Sequence, residues 1–192
     1  LYSLKDYPLV KRIFILAGYK AQLFRNLYDR KNYEGRPICV ISENVPLGTG
    51  GALINALHKT KTTSGFVINA DTITTTDLNT LESYAREKQS DGAIACTKLV
   101  DSHDFGIVEA DRLGRLKSFK RGAGKQPLAA VTFNGVFNFQ ESFVGKLNSN
   151  VEIQRRFAEG NLLSLENDVL ADRSYEIVVH ESAENVFNDV GT

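Results

Sequence analysis

Two aspartates and one run of glycines carry most of the chemistry that this chain could perform. The run is Glu43-Asn44-Val45-Pro46-Leu47-Gly48-Thr49-Gly50-Gly51-Ala52. Residues without a Cβ let main-chain N–H groups come close to a base, ribose or phosphate, and a helix N-terminus adds unsatisfied donors and a partial positive charge. A nucleotide is the natural ligand, and a turn that only shapes the loop is the bland alternative. Asp71 ends the apolar run Phe66-Val67-Ile68-Asn69-Ala70, and in open parallel sheets ligands bind just beyond the carboxyl ends of strands. Asp189 stands in a second such run, Val186 to Val190, followed by Gly191 and Thr192. Magnesium accepts one or two carboxylates when water and phosphate oxygens fill its other positions, so the two aspartates suit a nucleotide-bound Mg2+. Aspartates after strands also cap helices, and Asp77, ahead of Leu78 and Leu81, is read as an N-cap of that kind.

Such residues need strand ends and helix starts to hold them. Helical spacing is expected over Leu1 to Val10, Ala21 to Arg30, Gly51 to Lys59 and Asp77 to Lys88. Strands are expected at Arg12 to Leu16, Pro37 to Ser42, Phe66 to Ala70 and Ala93 to Leu99. The alternation argues for parallel βαβ units with helices on both faces of a sheet. Beyond residue 100 the pattern changes to a hairpin, Gly106 to Ala110 and Arg115 to Phe119 around the turn Asp111-Arg112-Leu113-Gly114. A strand Ala130 to Phe139, helical patterns around Val151 to Ala158 and Ser164 to Ala171, and strands Glu176 to His180 and Val186 to Val190 complete the reading. We expect one domain over 1–192, with a nucleotide-binding part at 1–100 and an acceptor-binding part at 101–192.

The 192 residues are 42% hydrophobic, enough for one substantial core, and the formal net charge is zero with charges interspersed. Neither a nucleic-acid-binding arm nor a basic membrane helix fits that distribution, and no apolar run approaches spanning length. Cys39 and Cys96 have no metal-ligand spacing and lie in strand-like runs, so both are expected as buried, reduced thiols in a cytoplasmic protein. Methionine is absent even at position 1, which leads us to expect an internal piece of a longer polypeptide. The lone histidines, His58, His103 and His180, are assigned no chemistry, and no Ser-His-Asp or Cys-His set suggests a nucleophile.

Glu43 through Ala52, Asn69-Ala70-Asp71, Phe105-Gly106-Ile107-Val108, Asn134-Gly135-Val136-Phe137, Ser164-Leu165-Glu166 and Phe187-Asn188-Asp189-Val190-Gly191-Thr192 occur in the order seen in sugar-phosphate nucleotidyltransferases. Over nearly its whole length the chain resembles that family, and within it most resembles mannose- or heptose-1-phosphate guanylyltransferases. The resemblance implies a Rossmann-like nucleotide-diphospho-sugar transferase fold, an α/β domain with a mostly parallel mixed sheet. It also implies the reaction of a nucleoside triphosphate with a sugar 1-phosphate to give an NDP-sugar and pyrophosphate, with GTP favoured. Carried over by position, Glu43, Leu47, Gly48, Thr49, Gly50, Gly51 and Asn69 would bind the nucleotide, and Asp71 and Asp189 would hold magnesium and serve catalysis. Phe105, Gly106, Arg121, Asn134, Gly135 and Glu166 would bind the sugar phosphate. A homo-oligomer is among the assemblies compatible with it.

Three departures bear on activity. The family's opening strand, Gly-rich pyrophosphate loop and phosphate-binding Lys are missing. Ala70 replaces the usual Gly before the metal aspartate. Phe119-Lys120-Arg121-Gly122 replaces Phe-x-Glu-Lys, so that Arg121, Lys120 or Lys125 would have to supply the cation. Enzyme and non-catalytic sugar-nucleotide-binding or assembly module therefore both stand as readings, with an NDP-sugar-using glycosyltransferase a third, less well matched by PLGTGG and Asp189-Val190-Gly191-Thr192.

Overall fold

The computed structural model describes residues 4, 7–99, 106–121, 130–182 and 187–189, with the backbone alone at 99, 106, 121 and 187–189. Phe105 and Lys125 lie outside the described residues. In chain order the elements are β1 (Ile13–Ala17), α1 (Ala21–Tyr28), β2 (Asn32–Tyr33), β3 (Arg36–Ser42), α2 (Gly48–Thr60), β4 (Gly65–Ile68), β5 (Thr72–Thr74), α3 (Leu78–Glu87) and β6 (Gly92–Leu99). They continue with β7 (Gly106–Ala110), β8 (Leu116–Arg121), β9 (Ala130–Phe139), α4 (Glu141–Ser149), α5 (Val151–Ala158), a π-helical turn (Leu165–Leu170), β10 (Ile177–Glu181) and β11 (Phe187–Asp189). Two compact units result, Leu1–Thr62 with Val151–Leu165, and Thr63–Asn150 with Glu166–Thr192.

In the first unit β1 runs parallel to β3, from Ile13 opposite Ile38 to Ala17 opposite Ser42, and the short β2 is antiparallel on the other side of β3. Alternation along β3 buries Ile38 and Val40 and turns Cys39 outward. Cys39 is therefore exposed, against expectation, because a strand with one solvated face shows every second side chain to water. Helix α2 adds Leu53, Ile54, Ala56 and Leu57 to this core. The expected helix at Leu1 to Val10 does not form over 7–10, which is a turn through Pro8. Proline supplies no N–H for a helix interior. The Arg36 guanidinium instead holds that turn, donating from Nε to the Val10 carbonyl and from Nη2 to the Tyr7 carbonyl, each at 3.1 Å.

The second unit is built on a sheet ordered β10-β6-β9-β7-β8, with β4 also paired to β9. Among the described residues only β10 and β6 run parallel there, while β9 is antiparallel to β4, β6 and β7. The expected preponderance of parallel pairing is thus corrected within this unit. An apolar run reads the same in both directions, and the sense of β9 is decided by the neighbours it pairs with, β4, β6 and β7, all antiparallel to it. Asp111 shapes that hairpin's turn, its Oδ1 accepting from the Leu113 and Arg115 amides at 2.8 and 2.9 Å.

Helix α3 packs Leu78, Leu81 and Ala85 inward, and Asp77 caps it as expected, accepting from Asn79 N at 2.8 Å and Thr80 N at 3.3 Å. Helix α4, which the sequence reading does not single out, buries Phe143, Val144 and Leu147 at helical spacing despite Gly145. Phe143 meets Phe137 and Tyr175 with ring centroids 5.2 and 5.0 Å away. Lys146 of α4 donates to buried Asp91 at 2.6 Å, and the Glu176 amide donates to the same carboxylate oxygen at 2.7 Å. Burial alone would raise the Asp91 pKa, but the bonds from Lys146, Glu176 and Ser142 outweigh it and hold the group below its ordinary value.

Candidate functional site

The glycine run lies inside the first turn of α2, three residues earlier than helical spacing indicated. Gly48 opens the helix at φ 75°, and a Cβ there would stand 2.4 Å from the Leu163 carbonyl oxygen. Glycine is required on both counts, left-handed backbone and contact with another backbone. That neighbour is bonded at several points. The Gly50 and Gly51 amides donate to Leu163 O at 2.8 and 3.4 Å, and Leu163 N donates to Leu47 O at 2.9 Å. Thr49 Oγ1 accepts from Leu165 N at 2.9 Å. The Glu43 carboxylate accepts from Leu47 N at 3.3 Å, where the helix dipole favours an anion. Donors expected to be free for a ligand are thus engaged by the chain's own 163–165 segment. Thr49 itself is exposed, and Glu43 and Leu47 are half-buried.

In the second unit β4 ends at Ile68, so Asp71 stands three residues past the strand and leads into β5 instead of closing β4. It is exposed. The brief β5 pairs antiparallel with β11, placing Asp189 directly opposite Thr72. The strand pairing thus brings the backbone of Asp189 opposite the residue that follows Asp71, although the two are far apart in sequence. By residue type, a pair of carboxylates suits magnesium when water and phosphate oxygens complete its shell, and among the described residues no group of three or more His, Cys, Asp or Glu is placed to hold a metal.

Beneath this acidic loop lie Asn134 and Gly135 of β9. Asn69 N donates to Gly135 O at 2.9 Å, and a Cβ on Gly135, whose φ is 76°, would lie 3.0 Å from both Asn69 Cβ and Thr72 Oγ1. Asn134 is completely buried, its Nδ2 donating to Thr76 Oγ1 at 3.1 Å and Thr97 Oγ1 at 3.3 Å. It lies under the loop, not at a surface open to a sugar. Gly106 and Arg121 are paired directly across the open end of the β7–β8 hairpin, and Lys120 on the same strand is ion-paired with Glu109. Glu166 enters the π-helical turn half-buried, its carbonyl accepting from Ala171 N at 3.0 Å.

The nucleotidyl transferase family profile matches residues 6–192. The chain belongs to this family. A mannose-1-phosphate guanylyltransferase of Mycobacterium tuberculosis is 24% identical over 187 residues, covering 95% of this chain and 49% of that protein. A D-glycero-alpha-D-manno-heptose 1-phosphate guanylyltransferase of Aneurinibacillus thermoaerophilus is 28% identical over 111 residues, covering 58% of this chain and 47% of that protein. The chain spans about half the length of the curated relatives it matches. Among solved structures, HddC from Yersinia pseudotuberculosis complexed with GMP-PN aligns with a TM-score of 0.78 at 22% identity, covering 100% of this chain and 77% of that one. That likeness establishes the fold, an α/β architecture of sheets flanked by helices.

For this nucleotidyl transferase, sequence reasoning misses Leu163, Thr76 and Thr97 as partners of the candidate site. No local signal marks them, because each acts through a bond to residues distant in the chain. The one available hint is the run Thr72-Ile73-Thr74-Thr75-Thr76, which places four hydroxyls within one short segment.

Proposed function

We propose that this chain carries the nucleotidyl-transfer domain of a sugar-1-phosphate guanylyltransferase, joining a nucleoside monophosphate from GTP to a mannose- or heptose-type sugar 1-phosphate with release of pyrophosphate. The observation that carries the reading is the β5–β11 pairing, which sets Asp189 across from the residue after Asp71. Magnesium, when bound by these two aspartates, would supply charge neutralisation at the phosphates. In-line phosphoryl transfer asks of the protein positioning and electrostatics more than a covalent nucleophile, and no nucleophile is assigned here. In this reading the Glu43–Gly51 stretch and Asn69 orient the nucleotide, and Phe105, Gly106, Arg121 and Glu166 orient the sugar phosphate. The sugar-phosphate oxygen attacks the α-phosphorus as pyrophosphate leaves. A cytoplasmic setting goes with these soluble substrates, and among the described residues no helix is long and apolar enough to cross a membrane.

The test is pyrophosphate release from GTP with mannose 1-phosphate or heptose 1-phosphate and Mg2+. Release that depends on both substrates supports the reading, and none with either sugar phosphate refutes it. One observation favours a second reading, a non-catalytic sugar-nucleotide-binding module: the Gly50 and Gly51 amides are already bonded to Leu163. Saturable GDP-sugar binding without turnover is the result that this second reading expects.

A further inference from the structure

The Asn69–Thr76 segment is tied at both ends to two neighbouring residues of β9. At its start Asn69 N donates to Gly135 O at 2.9 Å, and at its end Thr76 Oγ1 accepts from Asn134 Nδ2 at 3.1 Å. Between the two ties stands exposed Asp71. The second tie reaches into β5 itself, because Thr76 Oγ1 lies 2.8 Å from Thr74 Oγ1 and the Thr76 amide donates to that same Thr74 oxygen at 3.2 Å. The other Asn134 amide contact, to Thr97 Oγ1 of β6 at 3.3 Å, pins the side chain to the middle of the sheet.

Asn134 is an expensive residue for that position. It is completely buried, and its Oδ1 has no hydrogen-bond partner among the described residues. A leucine there would fill space without burying an amide. What asparagine adds is a donor that can grip two hydroxyls, that of Thr97 on β6 and that of Thr76 in the loop between β5 and α3. A two-stranded ribbon such as β5–β11 is marginal by itself, so its place is decided by what holds it from beneath. With its Nδ2 committed to two hydroxyls and no exposed surface, Asn134 is unsuited to touch a sugar.

We propose that Asn134 is a positioning residue for the acidic loop, acting through Thr76 to set the metal affinity of Asp71. This rests on the metal-binding reading of Asp71 and Asp189. Partners behind a metal ligand commonly change affinity when removed, so Asn134→Ala and Thr76→Val in the full chain should each weaken Mn2+ binding, measured by electron paramagnetic resonance with the metal alone, by roughly tenfold. Thr76→Ser keeps the hydroxyl and should restore binding. In turnover both weakening variants should raise the Mg2+ concentration for half-maximal rate while the KM for sugar 1-phosphate stays within about twofold of wild type. Should Asn134→Ala fail to fold, the Thr76 pair carries the test by itself.

Unchanged Mn2+ affinity in the folded variants overturns the proposal, as does a raised sugar-phosphate KM with normal metal dependence. A wild-type chain that binds no Mn2+ overturns it too. A wild-type chain that binds Mn2+ through Asp71 yet releases no pyrophosphate refutes the transferase reading, and the metal titrations of the variants still decide this one.

Discussion

The glycine run of the first unit and the acidic loop of the second are alike in sequence, each a stretch of small and polar residues placed after an apolar strand. The fold uses them in opposite ways. Gly48, Gly50 and Gly51 are pressed against the Leu163 backbone, two of them donating to its carbonyl. Asp71 is exposed to solvent while the chain on either side of it is tied to β9. Close backbone approach, the reason for glycine, is served in the first case by the protein's own chain. In the acidic loop, the small residue in close contact is Gly135 in the strand underneath, and Asp71 is left exposed.

The comparison can be broken most sharply at Asp71. Asp71→Asn should lower pyrophosphate release by on the order of a thousandfold, the effect of losing one group that stabilises developing charge, with the urea unfolding midpoint unchanged. A large shift in that midpoint would give Asp71 the structural role here assigned to the glycines. Gly48→Ala should do the reverse, costing on the order of 3 kcal/mol of stability through left-handed strain and collision with Leu163 O. Urea denaturation of the variant reads this directly, and a near-wild-type midpoint would mean that the helix start yields easily.

Thr49→Val tests the same clamp more gently. It removes the acceptor for Leu165 N and should cost about 1 kcal/mol in the same assay. If GTP binding falls far more than stability does, the hydroxyl serves the ligand and not the clamp.

The smallest effect expected is a dependence on acid in the second unit. His180 lies against Tyr84, ring centroids 4.9 Å apart, with Nδ1 buried and without a partner among the described residues. Burial holds its pKa below the ordinary histidine value. The folded state therefore binds this proton less readily than the unfolded chain, and stability falls as pH drops below about 6.5 toward the lowered value. His180→Gln should flatten the unfolding midpoint between about pH 7 and pH 5, and an unaltered slope would assign the acid response to other groups.

Periodicity and capping chemistry by themselves determined most of the local structure. Asp77 at its cap, the Asp111–Gly114 turn and the apolar faces of α2 and α3 follow from interactions within a few residues, which a linear sequence displays. Asp71 and Asp189 were likewise legible as candidates, because residue type and position after an apolar run are local properties. Tertiary structure alone decided the rest. Strand direction in the second unit, the outward face of Cys39, the clamp of Leu163 on the glycines and the burial of Asn134 beneath the acidic loop all depend on partners far away in the chain. A side chain's type states what it can bond, but which partner reaches it is settled only when packing brings distant backbone within hydrogen-bond range.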